Sequence, residues 1–269
     1  SLQSLHGSGA WLTAPPVEED TALDPLLFRI ALRRKLRVRV QDFDSFCPMC
    51  GGTMDSFGDH ALTCPCHGDR TIRHNALRDS VHADCGIGNM GSEREKAGLL
   101  PARPSDDGLQ HVASHVEEAN SMDQNIRRGR RRPADVFLPR GTAGSPMALD
   151  FACTSGMRAD KMRQACQDPV SVIADYEQFK RDFCPQGDTE STDRQCLNQG
   201  FKFVPMVLEA HSGGWGKEAR QVLDGVAKAI AETQPNSAES ASLRIAQRMS
   251  ITLQRENARA IVKRITDAA

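Results

Sequence analysis

The stretch RRPADVFLPRGTAGSPMALDFACTS, residues 131–155, decides the fold that this sequence predicts. It contains a short apolar run that stops at Pro139 and a longer one, MALDFACTS, with a turn over residues 141–146 between them. Short apolar runs bounded by Gly and Pro are typical of β-strands. Each run carries one aspartate, Asp135 and Asp150, and a hairpin of this length brings two such carboxylates together at one end of a sheet.

The sequence that follows the hairpin predicts a helix, a strand and two further helices. Residues 169–183 suit a helix that begins at a proline, residues 184–200 are polar and loop-like, and residues 201–210 suit a third strand. Two segments with apolar residues at helical spacing close the chain. This order predicts a mixed α/β domain over residues 86–269.

Residues 1–45 are expected to form a connector followed by an amphipathic helix. Gly, Ser and Pro are frequent up to residue 21. Asp24 and Pro25 then form a helix-start signal, with Asp as the cap and Pro at the first helical position. One face of this helix is basic, and it is either solvated or directed at phosphates: Arg29, Arg33, Arg34 and Lys35.

Residues 46–85 predict a small zinc knuckle and a basic helix. Cys47-Pro-Met-Cys50 is followed by two glycines, and His60 and Cys64 come ten residues later. Four such ligands within 18 residues suit a closed, structural Zn²⁺ site, whose metal would supply the folding energy of a segment with little core of its own. Cys66 and His67 are spare ligands that can replace Cys64, and cysteines left unligated in a loop are the alternative.

Two basic segments are candidates for phosphate contacts. In the helix over residues 69–83, the basic positions either bind a nucleic-acid backbone or pack against the knuckle: Arg70, Arg73 and His74, with Asn75 beside them. A second run precedes Asp135 and is either phosphate-binding or a charged linker: Arg127, Arg128, Arg130, Arg131 and Arg132. Residues 104–126 contain five acids and no Lys or Arg, which predicts a solvated insert in which His111 and His115 are surface residues or metal ligands.

The two aspartates of the hairpin form a hard-oxygen site suited to Mg²⁺ or Mn²⁺. Such an ion lowers the pKa of a bound water, and a nearby lysine orients that water or stabilises developing charge. No lysine lies two residues after Asp150, and Lys180 is the substitute. Glu177 lies one helical turn before Lys180 and is predicted to support the lysine or the metal. The alternative is an arginine-paired structural acid and an ordinary amphipathic helix.

The composition narrows the class of protein. The chain has 269 residues, 34 Lys and Arg against 35 Asp and Glu, and 39% hydrophobic residues, an ordinary globular balance. A net charge of −1 excludes a surface built entirely for nucleic acid. Nine unevenly spaced cysteines favour a reducing compartment with some cysteines on metal. No membrane segment or signal peptide is predicted, and a first residue other than Met indicates a piece of a longer polypeptide.

Seven segments occur in an order that resembles a known family: GSGAWLTAPP at 7–16, the Cys47-Cys50-His60-Cys64 knuckle, RHN at 73–75, RRPADV at 131–136, ALDFACTS at 148–155, DYEQFK at 175–180 and FVPMVLEAHSGGWG at 203–216. Together they resemble the C-terminal region of reverse-transcriptase polyproteins of non-LTR retrotransposons that carry a restriction-like endonuclease. The resemblance covers nearly the whole chain.

This resemblance implies an α/β fold, a restriction-endonuclease-like mixed sheet flanked by helices and preceded by a CCHC zinc knuckle. In the family, the endonuclease nicks target DNA in the nucleus, and the freed 3′ hydroxyl primes reverse transcription of the element's RNA by the polymerase of the same polyprotein. The family's two metal-binding acids correspond to Asp135 and Asp150, and its lysine to Lys180. Glu93 or Glu95 matches a further acid that often precedes the first strand.

Two alternatives remain open at the level of sequence. In the first, the knuckle and the basic patches bind RNA or DNA without catalysis, and the acids are structural. In the second, the chain is a degenerate transposon relic that folds without either activity. Aromatic residues make up only 5% of the chain, which leaves little from which to build a stacking surface for single strands.

Overall fold

A computed structural model describes residues 1–101, 131–142, 144–234 and 238–266. The described helices are α1 Pro25–Lys35, α2 Asp59–Thr63, α3 Asp69–Ile87, α4 Met162–Gln167, α5 Pro169–Asp182, α6 Thr192–Asn198, α7 Lys217–Thr233 and α8 Ala238–Thr266. The strands are β1 Ser45–Phe46, β2 Thr53–Met54, β3 Glu93–Arg94, β4 Val136–Leu138, β5 Met147–Thr154 and β6 Lys202–Glu209. Short 3₁₀ turns lie at Leu2–Ser4, Ala10–Leu12 and Cys66–Gly68.

A four-stranded mixed sheet with the order β3-β4-β5-β6 forms the centre of the molecule. β3 and β5 are both antiparallel to β4, whereas β6 runs parallel to β5 along its whole length. A parallel neighbour requires a crossover, and helices α4, α5 and α6 occupy the connection between β5 and β6. The mixed α/β architecture predicted from the order of elements is therefore confirmed.

Helices cover both faces of this sheet. Odd-numbered residues of β5, such as Leu149, pack with α3, α7 and α8 in the largest core cluster. Ala148 lies on the opposite face, in a cluster with Cys196 of α6. Further along that face, Val207 of β6 packs against Val172 of α5. Alternation of side chains along each strand thus divides the core into two layers.

Sequence signals position two of the helices as expected. The Asp24 carboxylate accepts a hydrogen bond from the backbone N–H of Leu26 at 2.8 Å, and Pro25 opens α1. In the same way, the Asp168 carboxylate accepts from Val170 at 3.0 Å at the start of α5. Side-chain caps of this kind satisfy N–H groups that have no partner within the helix.

The N-terminal segment packs against the rest of the molecule. Leu2 and Leu5 are buried in the cluster that contains Val172 of α5, and Trp11 is buried against Ile251 of α8. Residues 1–21 were predicted to be a connector with little structure of its own, but these apolar side chains anchor the segment in the core.

One residue of the basic face predicted for α1 is not on the surface. Arg34 is only 1% exposed and pairs with Asp59 of α2 at 3.4 Å.

Several short elements were not expected from the sequence, and β3 and α6 are the two in or beside the central sheet. β3 contains only Glu93 and Arg94, both exposed, and has no apolar pattern to reveal it. α6 lies within the polar stretch 184–200, where Ser191 caps it by accepting from the N–H of Arg194 at 3.3 Å. No described helix is long and apolar enough to cross a membrane.

Candidate functional site

The register of β4 and β5 brings Asp135 and Asp150 together. Val136, the first residue of β4, pairs with Leu149 of β5. The N–H of Asp135 also donates to the Leu149 carbonyl, at 2.9 Å, so Asp135 and Val136 face the same residue of β5, as in a β-bulge. Asp135 Oδ2 accepts a hydrogen bond from the N–H of Phe151, the residue after Asp150, and the charge of Asp135 acts on both Asp150 and Lys180. The two carboxylates, here called the acid pair, are therefore neighbours.

A lysine from α5 neutralises one member of this pair. Lys180 Nζ lies 2.7 Å from Asp150 Oδ2, and the two side chains are 25% and 18% exposed. Half-buried ion pairs of this length hold both groups in place more firmly than pairs in open solvent. The order of segments in the sequence predicted this contact between residues 30 positions apart.

A histidine from α3 contacts the other member. His74 Nε2 lies 3.1 Å from Asp135 Oδ1, while Asp135 Oδ2 accepts a hydrogen bond from the N–H of Phe151 at 2.6 Å. His74 was predicted either to contact a nucleic-acid backbone or to pack against the knuckle, whereas in the structure it contacts Asp135. Its partner is 61 positions away, and a spacing of that size carries no periodic signal.

The electrostatics of these four groups follow from their burial and proximity. Burial raises the pKa of Asp150 and the charge of Asp135 raises it further, while Lys180 acts in the opposite sense. Burial acts to lower the pKa of Lys180, but attraction to Asp150 and then Asp135 outweighs it and leaves that pKa raised. The hydrogen bond to Asp135 raises the pKa of His74 despite burial. The two cations thus offset two carboxylates that would otherwise repel each other.

The acid pair borders an open cleft. A space of about 480 Å³ lies between the start of α3, strand β5 and helix α5, with Asp150 and Lys180 in its wall. A second space of about 580 Å³ continues toward the loop after β5. The two spaces share four lining residues and together form one groove: Arg70, Arg73, Cys153 and Tyr176. Asp150 is therefore accessible to a ligand lying in this groove, while Asp135 is not part of its lining.

The four cysteine and histidine residues of the predicted knuckle converge. The ligand atoms of Cys47, Cys50, His60 and Cys64 all lie within 4.8 Å of one another, and Cys50 Sγ is 3.3 Å from His60 Nε2. Tetrahedral zinc with bonds of about 2.3 Å to sulfur requires ligand atoms roughly 4 Å apart. This group, called the Cys/His cluster below, can hold a metal ion. Cys66 and His67, the spare ligands, are not members of it.

One residue of the Cys/His cluster, Cys64, favours the thiolate form that a metal requires. Burial acts to raise the pKa of Cys64, but hydrogen bonds from Arg264, from the Cys66 backbone and from Cys50 bring this pKa down to about 6. Arg264 is itself fixed by Asp69 at 2.7 Å. The last turn of α8 therefore supports a ligand that lies 200 residues earlier in the chain.

The remaining predicted residues of α3 and the basic run separate into exposed and buried members. Arg70 is exposed on the groove. Arg73 is only 7% exposed, donates to Asn257 at 2.9 Å and to the Leu62 carbonyl at 3.1 Å, and is structural. Arg131 is likewise committed to partners within the fold, Asp188 and Gln195 at 2.5 and 2.6 Å, which corrects its assignment as a phosphate contact.

Arg132 is partly exposed and lies 3.7 Å from Glu95, which also accepts from Arg78 at 2.7 Å. Glu95 adjoins the acid pair through its backbone, because its N–H donates to the Asp135 carbonyl at 2.9 Å. Three further arginines of the predicted basic run lie outside the described residues: Arg127, Arg128 and Arg130. The insert at 104–126 and its two histidines also lie outside them.

Glu177 is not placed beside the acid pair. Its carboxylate faces the start of α7, where a Cβ on Gly216 would collide with Oε1, and the Glu218 backbone N–H donates to it. Burial, followed by the charge of Glu218, raises the pKa of Glu177 to about 7. The prediction that it supports Lys180 or a metal is corrected accordingly, since its side chain lies on the buried face of α5.

Tyr176 is a groove residue that the sequence did not single out. It lies four positions before Lys180, hence on the same side of α5, and it lines both halves of the groove. This i, i+4 relation to a candidate catalytic lysine is the signal that points to it.

Comparisons with protein-family models, curated proteins and solved structures found no match to this chain.

Proposed function

We propose that this chain is a metal-dependent DNA endonuclease with a restriction-endonuclease-like fold. The observation that carries the proposal is the proximity of Asp135 and Asp150 at neighbouring strands, with Lys180 paired to Asp150 and an open groove beside this ion pair. A mixed sheet flanked by helices, with acids on neighbouring strands, agrees with the architecture that the family resemblance implies.

The acid pair would hold Mg²⁺ or Mn²⁺, because carboxylate oxygens are the ligands these ions prefer. When bound, the ion would lower the pKa of a water and neutralise charge on a phosphodiester. Lys180 would orient the attacking water or stabilise the developing charge at the phosphate, since its ammonium group already lies within hydrogen-bond distance of Asp150. His74 would keep Asp135 in position.

Other parts of the proposal come from the resemblance. The chain would be part of a retrotransposon polyprotein that acts in the nucleus, with target DNA, the element's RNA and the polymerase domain as partners. The Cys/His cluster would hold structural zinc, because four protein ligands leave no position for a substrate or water. The 3′ hydroxyl left by the nick would prime reverse transcription.

A nicking assay on supercoiled plasmid tests this proposal. We expect Mg²⁺ or Mn²⁺ to support nicking, EDTA to abolish it, and Asp150→Ala to reduce its rate at least about 100-fold, because the metal loses a ligand. Asp42→Ala removes an exposed acid away from the groove and serves as the matched control. Nicking by Asp150→Ala at the wild-type rate would show that the acid pair is not the active site.

A second candidate function, nucleic-acid binding without cleavage, is favoured by the exposed position of Arg70 on the groove and by the Cys/His cluster next to it. In that case the plasmid stays intact with every divalent ion, while DNA or RNA binding is lost on removal of zinc. Intact plasmid together with absent binding indicates a degenerate transposon relic.

A further inference from the structure

Helix α5 exposes a line of aromatic rings. Tyr176, Phe179 and Phe183 lie at positions i, i+3 and i+7, with ring centroids 5.6 and 6.1 Å apart in succession. Phe179 and Phe183 are 55% and 50% exposed, although large apolar side chains are usually buried. The buried face of the same helix is formed by other residues, Val172 and Ile173. Phe179 and Phe183 are therefore not needed to hold α5 on the sheet, whereas Tyr176 is partly buried and packs against the cluster that contains Val172. These three rings are called the aromatic strip.

The aromatic strip is continuous with the groove. Tyr176, the chain's only tyrosine, lines both halves of the groove, and the next two rings lead from it toward the C-terminal end of α5. Lys180 lies on this side of the helix and reaches Asp150. A ligand that lies in the groove beside Asp150 therefore also contacts Tyr176, the first ring of the aromatic strip.

The charges around the aromatic strip favour an anionic ligand. Two acids of α5 are held by their neighbours: Asp175 accepts from Lys161 and Gln164, and Asp182 accepts from Gln178. On the groove side, the exposed Arg70 supplies positive charge, and Lys180 pairs with Asp150. A cationic groove combined with exposed aromatic rings, on which bases can stack, is typical of sequence-independent single-strand binding.

We propose that the aromatic strip stacks the unpaired bases of a single-stranded nucleic acid whose backbone passes the acid pair. The inference rests on the proposed endonuclease function and narrows its substrate to a nucleic acid with an unpaired segment beside the scissile phosphate. It departs from the expectation drawn from composition, because the fold gathers three of the few aromatic residues on one surface. Both DNA and RNA carry unpaired bases, and oligonucleotides of each kind distinguish the two sources.

The test measures affinity by fluorescence anisotropy for a 12-residue oligothymidylate, an oligouridylate of equal length and a blunt DNA duplex. We expect Phe179→Ala combined with Phe183→Ala to weaken binding of the preferred single strand at least about tenfold, and duplex binding less than about twofold. Phe43→Ala combined with Phe46→Ala is the matched control, because these rings are 75% and 79% exposed in the knuckle region. The control pair should leave both affinities unchanged.

A second double variant, Phe179→Leu with Phe183→Leu, separates stacking from general apolar contact. Leucine keeps an apolar surface without a π face, so stacking predicts the same loss as alanine. Wild-type affinity in the leucine variant, or equal loss for single strand and duplex, overturns the proposal. If plasmid nicking fails while ring-dependent binding persists, only the endonuclease proposal is lost. If nicking occurs and the ring variants bind normally, only the aromatic strip loses its role.

Discussion

The Cys/His cluster and the acid pair gather chemically active side chains in opposite ways. The cluster lies on short loops and at the short helix α2, and its four ligand atoms come within 4.8 Å of one another. The acid pair lies at the centre of the sheet, where Lys180 contacts Asp150 and His74 contacts Asp135. The first arrangement is a closed set of four soft ligands, whereas each carboxylate of the second already has a side-chain partner from the fold.

This difference indicates different roles for metal in the two regions. A soft, closed site with little secondary structure of its own derives stability from its ion. An open pair of carboxylates held by β4 and β5 keeps its geometry in the absence of an ion, and a divalent cation must then compete with Lys180 and His74. We therefore expect zinc to determine folding and magnesium to determine activity.

The largest effect is expected from removal of zinc. Cys47 and Cys64 are buried in a core cluster with Ile261 of α8, so loss of the metal would disrupt contacts that reach the last helix. Cys47→Ser should abolish the one-to-one zinc content measured by mass spectrometry and lower the Tm by at least about 10 °C. Cys166→Ser changes an exposed cysteine outside the cluster and should keep both values. An unchanged Tm in Cys47→Ser would show that zinc does not determine folding of the Cys/His cluster region.

A smaller effect is expected where α3 joins the two regions. Arg73 donates to the backbone of the knuckle and to Asn257 of α8, and Asn257 in turn donates to Ala210 after β6 at 2.7 Å. Arg73→Ala leaves these buried groups unpaired and should lower the free energy of unfolding by about 2–4 kcal/mol in urea titration.

Arg70→Ala is the matched control on the same helix. Arg70 is exposed and should contribute less than about 0.5 kcal/mol to stability, while its loss weakens DNA binding and its salt dependence. Equal destabilisation by the two substitutions would contradict the division between a structural arginine and a ligand-binding one.

The sequence predicted the main elements because their apolar patterns are strong. β5, β6, α3, α5, α7 and α8 all appear at or near the expected positions. β3 was missed because two exposed residues in a ladder have no hydrophobic signature, and the strand exists only through pairing with β4. The course of residues 1–21 was misjudged because three separated apolar residues show no period, although each one fills a place in the core.

The acid pair and Lys180 were predictable from the order of segments, since strands joined by a short turn bring their ends together. The roles of the arginines and of His74 could not be predicted from the sequence, because tertiary packing decides which partner a cationic side chain contacts. Arg34, Arg73 and Arg131 look like solvated bases in sequence, yet each is used inside the fold. A charged residue reveals its function only when its partner is known.

A pH-dependent effect is expected from Glu177, which has no compensating cation of the kind found at the acid pair. Its Oε1 has no hydrogen-bond partner among the described residues, and its pKa is raised from 4.5 to about 7. The native state therefore binds more protons than the unfolded state between these values, and stability falls as pH rises from about 4.5 to 7.

Glu177→Gln removes this titration and should be more stable than wild type by about 1–3 kcal/mol at pH 8, with little difference at pH 5. Urea titrations at the two pH values measure it. Glu232→Gln changes an exposed acid of α7 and controls for net charge. A gain of equal size at both pH values would assign the effect to packing instead of ionisation.

The smallest effect is expected from adding a divalent ion to the zinc-loaded protein. A ligand that binds only the native state at ten times its Kd stabilises it by about 1.4 kcal/mol, which raises the Tm by roughly 3–5 °C. Asp150→Asn should abolish this rise because the acid pair loses a charged ligand. Lys180→Ala should enlarge it, since Mg²⁺ no longer competes with the ammonium group at Asp150 and instead relieves repulsion between the two carboxylates. A rise that survives Asp150→Asn would place the ion elsewhere, and an absent rise in Lys180→Ala would show that the lysine, and not a metal, is the only cation this acid pair accepts.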